Sequence, residues 1–175
     1  YITGLEVDEL CAELNTFVEN RLLDDDGTVM IRYKGGARCL LSASQVCAGV
    51  ENGLYIRVYG EKGGLEWRQD SPNTMIFRPI EGVAEMIRTS TPSVVSPAAA
   101  HNSRVPGGHP EGYIEAFANL YRNFALTLMA DIANETPDEL CLDFPNVRDG
   151  VAGMLFVQKV VESSKQNASW VKWED

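Results

Sequence analysis

The sequence predicts an α+β fold, a mostly antiparallel β-sheet of about six strands with helices packed on one face. Segments that alternate apolar and polar residues fill residues 1–80, and Gly- or Asp-rich turns separate them. Helical periodicity appears only later, in two stretches near 110–132 and 146–164. Strands first and helices last give two helices for one sheet, which leaves the other face open for oligomerisation.

Residues 7–18 alternate, with Leu10, Ala12, Leu14, Thr16 and Val18 on one side and Cys11, Glu13, Asn15 and Phe17 on the other. Asp24-Asp-Asp-Gly27 reads as a turn, because Asp bonds its own backbone and Gly tolerates positive φ. A calcium loop would need further ligands at twelve-residue spacing, and these are missing. Residues 28–34 form a second strand, with Val29, Ile31 and Tyr33 on one face, and Gly35-Gly36 closes a hairpin onto a third strand at 38–46. Further strands fall at 54–59, 65–68 and 75–79, the first two joined through Gly60-Glu-Lys-Gly-Gly64. Each glycine pair joins strand to strand, so none makes a phosphate-binding loop ahead of a helix. On this register the open face carries Cys11, Phe17, Met30, Tyr55 and Tyr59.

Residues 81–108 are small, polar and proline-containing, and read as one long surface loop. A helix follows over 110–132, with Pro110 in its first turn and Glu111 near the positive end of its dipole. Ile114, Phe117, Leu120, Tyr121, Phe124, Leu128 and Ile132 share one face, the object for the strands to pack on. Glu115, Asn119, Arg122 and Asn123 fall on the opposite, wetter face. Residues 140–145 read as extended, Asn146 and Asp149 as a capping box opening the last helix, and 170–173 as a final extended piece before an acidic end.

A chain of 175 residues with 45% hydrophobic content can bury a full core as one domain. The formal charge of −10 and the scattered Lys and Arg exclude a nucleic-acid surface, and no run of apolar residues is long enough for a membrane span. Cys11, Cys39, Cys47 and Cys141 form no Cys-x-x-Cys pair, which points to buried free thiols in a reduced cytoplasm rather than to zinc. His101 and His109 lack a metal-binding frame, and no nucleophile elbow, Walker sequence or dinucleotide fingerprint occurs. One suggestive position is left: His109, beside Glu111, where a long loop meets a helix. Such a histidine can exchange a proton with a ligand or anchor its loop to a backbone group.

The ordered set Gly35-Gly-Ala-Arg, Ser44-Gln-Val, Tyr59-Gly-Glu-Lys-Gly-Gly-Leu-Glu-Trp67, His109-Pro-Glu-Gly-Tyr-Ile-Glu-Ala-Phe-Ala-Asn-Leu-Tyr121 and Asp143-Phe-Pro-Asn-Val-Arg-Asp-Gly150 resembles the C-terminal domain of the Gfo/Idh/MocA oxidoreductases. The resemblance covers nearly the whole chain. It implies a longer two-domain protein whose N-terminal Rossmann domain, absent here, binds NAD or NADP and is this domain's first partner. The family's active-site lysine and histidine precede the segment resembling Tyr1-Ile-Thr-Gly-Leu-Glu6, so neither role passes to His101 or His109. The expected function is the C-terminal part of a dehydrogenase acting on a sugar, polyol or related hydroxy compound. Residues 1–175 would form one substrate and oligomerisation domain, homo-oligomeric through its sheet face, cytoplasmic, inactive alone and without catalytic, cofactor or metal residues of its own. His109 and Tyr113 are the candidate substrate contacts. The alternative is a non-catalytic, stand-alone binding or assembly module of the same fold.

Overall fold

The computed structural model describes residues 1–92 and 96–173. Its elements run β1 (Val7–Asn15), β2 (Asp26–Tyr33), β3 (Arg38–Ser44), β4 (Tyr55–Gly60), β5 (Gly63–Arg68), β6 (Thr74–Pro79), β7 (Glu85–Arg88), α1 (Pro97–Asn102), α2 (Tyr113–Ile132), a 3-10 turn at Glu139–Leu142, α3 (Val147–Lys165) and β8 (Val171–Lys172). The α+β class holds. The strands number eight among the described residues rather than about six, and hydrogen bonding divides them into two antiparallel sheets, β3-β2-β1-β8 and β4-β5-β6-β7. Of the two additional strands, β8 falls within the extended piece expected at 170–173, and β7, with four residues, is too short to show alternation. The chain forms two compact units, Tyr1–Val50 with Asn146–Asp175, and Glu51–Pro145.

The first unit holds the apolar core. Alternation puts Leu10 and Ala12 of β1 beside Ile31 and Val29 of β2, and these meet Val160 of α3 and Val171 of β8. Leu10 is fully buried, which is worth roughly 1.5–3 kcal/mol relative to exposure. Asn146 caps α3, its side chain accepting from the N–H groups of Arg148 and Asp149 while Asp149 accepts from Asn146 N–H, so the expected capping box forms. Gly35 and Gly36 turn the β2–β3 hairpin at φ of 85° and 93°, angles that cost a side chain dearly. On the face away from the core, Met30 and Leu40 are exposed neighbours. Cys11 pairs with Met30 on that face, as expected, but is covered there: it is buried, its thiol donating to the Ala168 carbonyl at 3.0 Å. Phe17, expected beside it, lies past the end of β1.

In the second unit β4–β7 form a meander, and register puts Trp67, Met75 and Ile87 side by side on one face. The opposite face carries Arg57, Arg68 and Arg78 around Glu66, with the Arg57 and Arg68 guanidiniums over the Tyr55 ring. Gly63 has no room for a side chain, because an added Cβ would lie 2.5 Å from the Arg78 carbonyl oxygen. The stretch 81–108 is not one loop: it contains β7 and α1, while its residues 93–95 lie outside the described residues, as does the acidic end at 174–175. Residues 140–145 include most of a 3-10 turn rather than a strand.

The helix expected over 110–132 begins at Tyr113, with Gly112 as its N-cap. Its expected orientation is reversed. Asn119 and Asn123 are its buried residues, whereas Ile114, Phe117, Tyr121, Phe124, Leu128 and Ile132 are exposed. The inner face of α2 packs on the 3-10 turn through polar bonds, with Thr127 donating to the Cys141 carbonyl at 3.0 Å. The helix that closes the apolar core is α3, not α2.

Candidate functional site

A cleft of about 520 Å³ lies within the second unit, between the Trp67 face of its sheet and the first turns of α2. Trp67, Tyr113 and Phe117 give it aromatic walls, and Gln69, Asn73 and Asn119 are among its polar lining. Tyr113 and Phe117 stack at 4.8 Å between ring centroids, one helical turn apart as i, i+4 neighbours.

A hydrogen-bond network behind the cleft fixes its shape. The Glu111 carboxylate accepts from the N–H groups of Arg104 and Val105, at 2.7 and 3.3 Å, and so ties the loop after α1 to the approach to α2. Arg104 Nη2 donates to Asn119 Oδ1 at 2.6 Å, and Asn119 Nδ2 donates to the Asn102 carbonyl at 2.6 Å. Asn123 Nδ2 faces two acceptors, Asn102 Oδ1 and the Asp143 carbonyl. That orientation leaves Asn123 Oδ1 toward His101 Nε2 at 2.9 Å, so the ring nitrogen must carry the hydrogen and donate. An N–H cannot also accept, so Arg122 Nη1, 3.2 Å away, is a neighbour of that nitrogen and not its partner.

Most polar groups at the cleft are therefore already used. Trp67 Nε1 donates to the Pro72 carbonyl at 2.9 Å and Ser103 Oγ to the Ala99 carbonyl at 2.8 Å. Among the described residues the Tyr113 hydroxyl has no hydrogen-bond partner, and Tyr113 lines the cleft. Of the two residues singled out by sequence, Tyr113 lines the cleft and His109 does not. His109 is exposed, and its Nδ1 lies 3.1 Å from the Pro106 carbonyl, which makes Nδ1 the donor. In the neutral ring Nε2 is then the acceptor. Sequence reasoning missed Asn102, Asn119 and Asn123. The signal was present: two amides four residues apart share one side of a helix.

The helix starts offer no place for a dinucleotide's phosphates. At α2 the N-cap N–H of Gly112 donates to the Glu115 carboxylate at 2.9 Å, a bond that holds Glu115 below the usual carboxylate range. At α3 the side chains of Asn146 and Asp149 take the free N–H groups. A pyrophosphate at either end would meet a carboxylate already seated there. Neither helix start fits the pyrophosphate of NAD(P). Among the described residues no group of three or more His, Cys, Asp or Glu side chains could hold a metal ion. No helix among them is long and apolar enough to cross a membrane. All four cysteines are free; Cys11 and Cys141 are buried, Cys39 is half-buried, and Cys47, against the expectation of buried thiols, is exposed.

Residues 5–173 match the family model described as the oxidoreductase family, C-terminal alpha/beta domain, Gfo/Idh/MocA. The chain belongs to this family. Its fold is close to that of an oxidoreductase from Sinorhizobium meliloti, 42% identical with a TM-score of 0.92, over 98% of this chain and 48% of that one. An inositol dehydrogenase homolog from Azotobacter vinelandii, solved in complex with NADH and myo-inositol, is 30% identical with a TM-score of 0.86, over 98% of this chain and 45% of that one. The uncharacterized oxidoreductase YfiI of Bacillus subtilis is 27% identical over 97% of this chain and 43% of its own length. The chain thus spans less than half the length of these relatives. The Gfo/Idh/MocA resemblance read from the hairpin, the helix approach and the Asp143–Gly150 segment is confirmed.

Proposed function

We propose that residues 1–175 are the single C-terminal substrate and oligomerisation domain of a longer NAD(P)-dependent oxidoreductase acting on a sugar, polyol or related hydroxy compound. The observation that carries this reading is the match of nearly the whole chain to the family, joined to 30% identity with a relative that binds NADH and myo-inositol. NAD or NADP is assigned to the N-terminal Rossmann domain of the full-length protein, since the helix ends of this chain are filled by their own side chains. The isolated chain is accordingly expected to turn nothing over.

Within this reading the cleft supplies one wall of the substrate pocket. Tyr113 offers its hydroxyl and an aromatic face, and the polar network holds the wall rigid. His109, on the loop leading into α2, offers Nε2 as an acceptor for a substrate hydroxyl. Homo-oligomers are proposed to form through the face of the first sheet that carries exposed Met30 and Leu40. The free cysteines favour a reducing, cytoplasmic setting and the charge of −10 disfavours nucleic acid.

The test is reduction of NAD or NADP by the full-length protein against a panel of cyclic and linear polyols, sugars and hydroxy acids. Turnover of at least one is expected. Absence of both nicotinamide binding and turnover would remove the enzyme reading.

A further inference from the structure

Two amide side chains at the cleft each have one half left over for a ligand, and the two halves are opposite in kind. Gln69 follows β5 and Asn73 precedes β6, so a single hairpin turn carries both, and they line the cleft with Trp67. Gln69 Nε2 donates to the Asn52 carbonyl at 2.7 Å, and its backbone N–H donates to the Leu54 carbonyl at 2.9 Å. A flipped Gln69 amide would set two oxygens together, so its orientation is fixed. The Thr89 hydroxyl donates to Asn73 Oδ1 at 3.4 Å, and Thr89 N–H donates to the Asn73 carbonyl at 3.0 Å. What is left is an acceptor, Gln69 Oε1, and a donor, Asn73 Nδ2, neither with a partner among the described residues. Arg32 Nε is the one buried side-chain nitrogen or oxygen without a partner among the described residues, so both of these atoms reach open space.

The charges around them are one-sided. Among the described residues no Lys, Arg or His lines the cleft, and its one charged side chain is Glu111. The Arg104 guanidinium behind the wall already donates to Asn119 Oδ1 and the Ser103 carbonyl.

We propose that Gln69 and Asn73 determine specificity, binding two hydroxyls of an uncharged polyhydroxy ring and refusing a ring that carries a carboxylate or phosphate at that end. The inference rests on the reading of the cleft as one wall of the substrate pocket. A hydroxyl both donates and accepts, so one ring hydroxyl donates to Gln69 Oε1 while another accepts from Asn73 Nδ2. An ionised carboxylate or a phosphate dianion has no hydrogen for Gln69 Oε1, finds no cation and meets Glu111, so burying it there is costly. Trp67 and Tyr113 add the apolar surface on which the C–H face of a ring packs. Both amides are fixed by side-chain and backbone bonds before a ligand arrives, so binding has little left to order.

Calorimetry on the full-length protein, with and without NADH, tests this with myo-inositol, D-glucose and their charged counterparts, myo-inositol phosphate and D-glucuronate. At least one neutral ring should bind, and its charged counterpart should bind about tenfold more weakly or worse. Asn73→Asp keeps the acceptor for Thr89 and turns the free donor into a carboxylate oxygen; Gln69→Met keeps the side-chain length and removes the acceptor. Each should weaken the neutral ring by about tenfold. The comparison of neutral with charged rings needs no variant, so it stands should a substitution disturb the fold. A charged ring bound as tightly as its neutral counterpart, unchanged affinity in both variants, or no binding of either neutral ring would each overturn the proposal. Neutral-ring binding that both variants weaken, without any binding of NADH, removes the oxidoreductase reading and leaves the specificity pair in place. Turnover of a neutral ring with NAD or NADP at parental kcat/KM in both variants removes the specificity pair alone.

Discussion

The backbone N–H of Ala12 donates to the hydroxyl of Ser163 at 2.8 Å, so a helix side chain does the work of a missing strand. β8 reaches only Glu9 and Leu10 of β1. Beyond them the next inward N–H groups of β1, at Ala12 and Leu14, are taken by the hydroxyls of Ser163 and Ser164 on α3. Ser163 in turn donates to the Ser169 carbonyl.

Ser163→Ala strands the Ala12 N–H and the Ser169 carbonyl in a fully buried place. An unsatisfied buried donor costs about 1–3 kcal/mol. Denaturant unfolding should show a loss of that order, and Ser163→Thr should recover part of it. A midpoint unchanged in Ser163→Ala would show that the bond is not holding α3.

Asn123→Ala removes the amide that joins His101, Asn102 and the Asp143 carbonyl. Asn123 is 1% exposed, and leaving its partners unpaired should cost about 1–3 kcal/mol. Amide exchange in the first turns of α2 should quicken more than in the first sheet, since the network lies in the second unit. Uniform quickening would contradict the assignment.

Asp25 accepts from the N–H groups of Phe17 and Val18 at 2.8 and 2.9 Å, with Arg21 3.4 Å away. The Phe17 N–H first, then the Val18 N–H and the Arg21 charge, hold its carboxyl below the usual Asp value against the opposing effect of burial. A depressed folded-state pKa means that the unfolded chain binds the proton first as pH falls. The stabilisation is complete above the unfolded value of about 3.9 and is lost as pH drops through the folded value. Asp25→Asn should therefore be less stable than the parent at neutral pH and show a shallower loss between about pH 5 and pH 2. Parallel acid limbs would refute the assignment.

Tyr113→Ala in the full-length protein should lower kcat/KM by about tenfold, the effect of losing roughly 1.4 kcal/mol of aromatic contact and a hydroxyl. His109→Ala, whose side chain lies outside the cleft lining, should act more weakly. Equal kcat/KM for Tyr113→Ala and the parent would detach the cleft from the substrate.

Local signals in the sequence were readable, and non-local ones were not. Gly35-Gly36 and the Asn146/Asp149 box act within four residues, so their geometry follows from the residues themselves. The helical period of α2 was equally clear, but periodicity names two faces without saying which is buried. There the buried side is polar because its neighbours, α1 and the 3-10 turn, present backbone carbonyls and amides rather than apolar side chains. α1 was missed inside a polar stretch although Ser96-Pro97 is a helix-start pair, and Ser96 does accept from Ala99 N–H. In the cleft, Tyr113 was found from its place at a loop-to-helix junction. The i, i+4 spacing of Asn119 and Asn123 puts them on one side of α2, but that this side is buried, and that Asn102 joins them, depends on tertiary partners.

The pairing of Leu10 with Val171 joins positions 161 residues apart. The core of the first unit therefore closes late in synthesis, after nearly all of this chain has left the ribosome. Residues 51–145, whose strand pairs are all between neighbours in sequence, can be complete by then. Contacts of such separation slow folding because the loop entropy is spent before they form. Until α3 and β8 arrive, the Leu10, Val29 and Ile31 face lacks its helix, and that interval is when the growing chain is most open to aggregation and to chaperones.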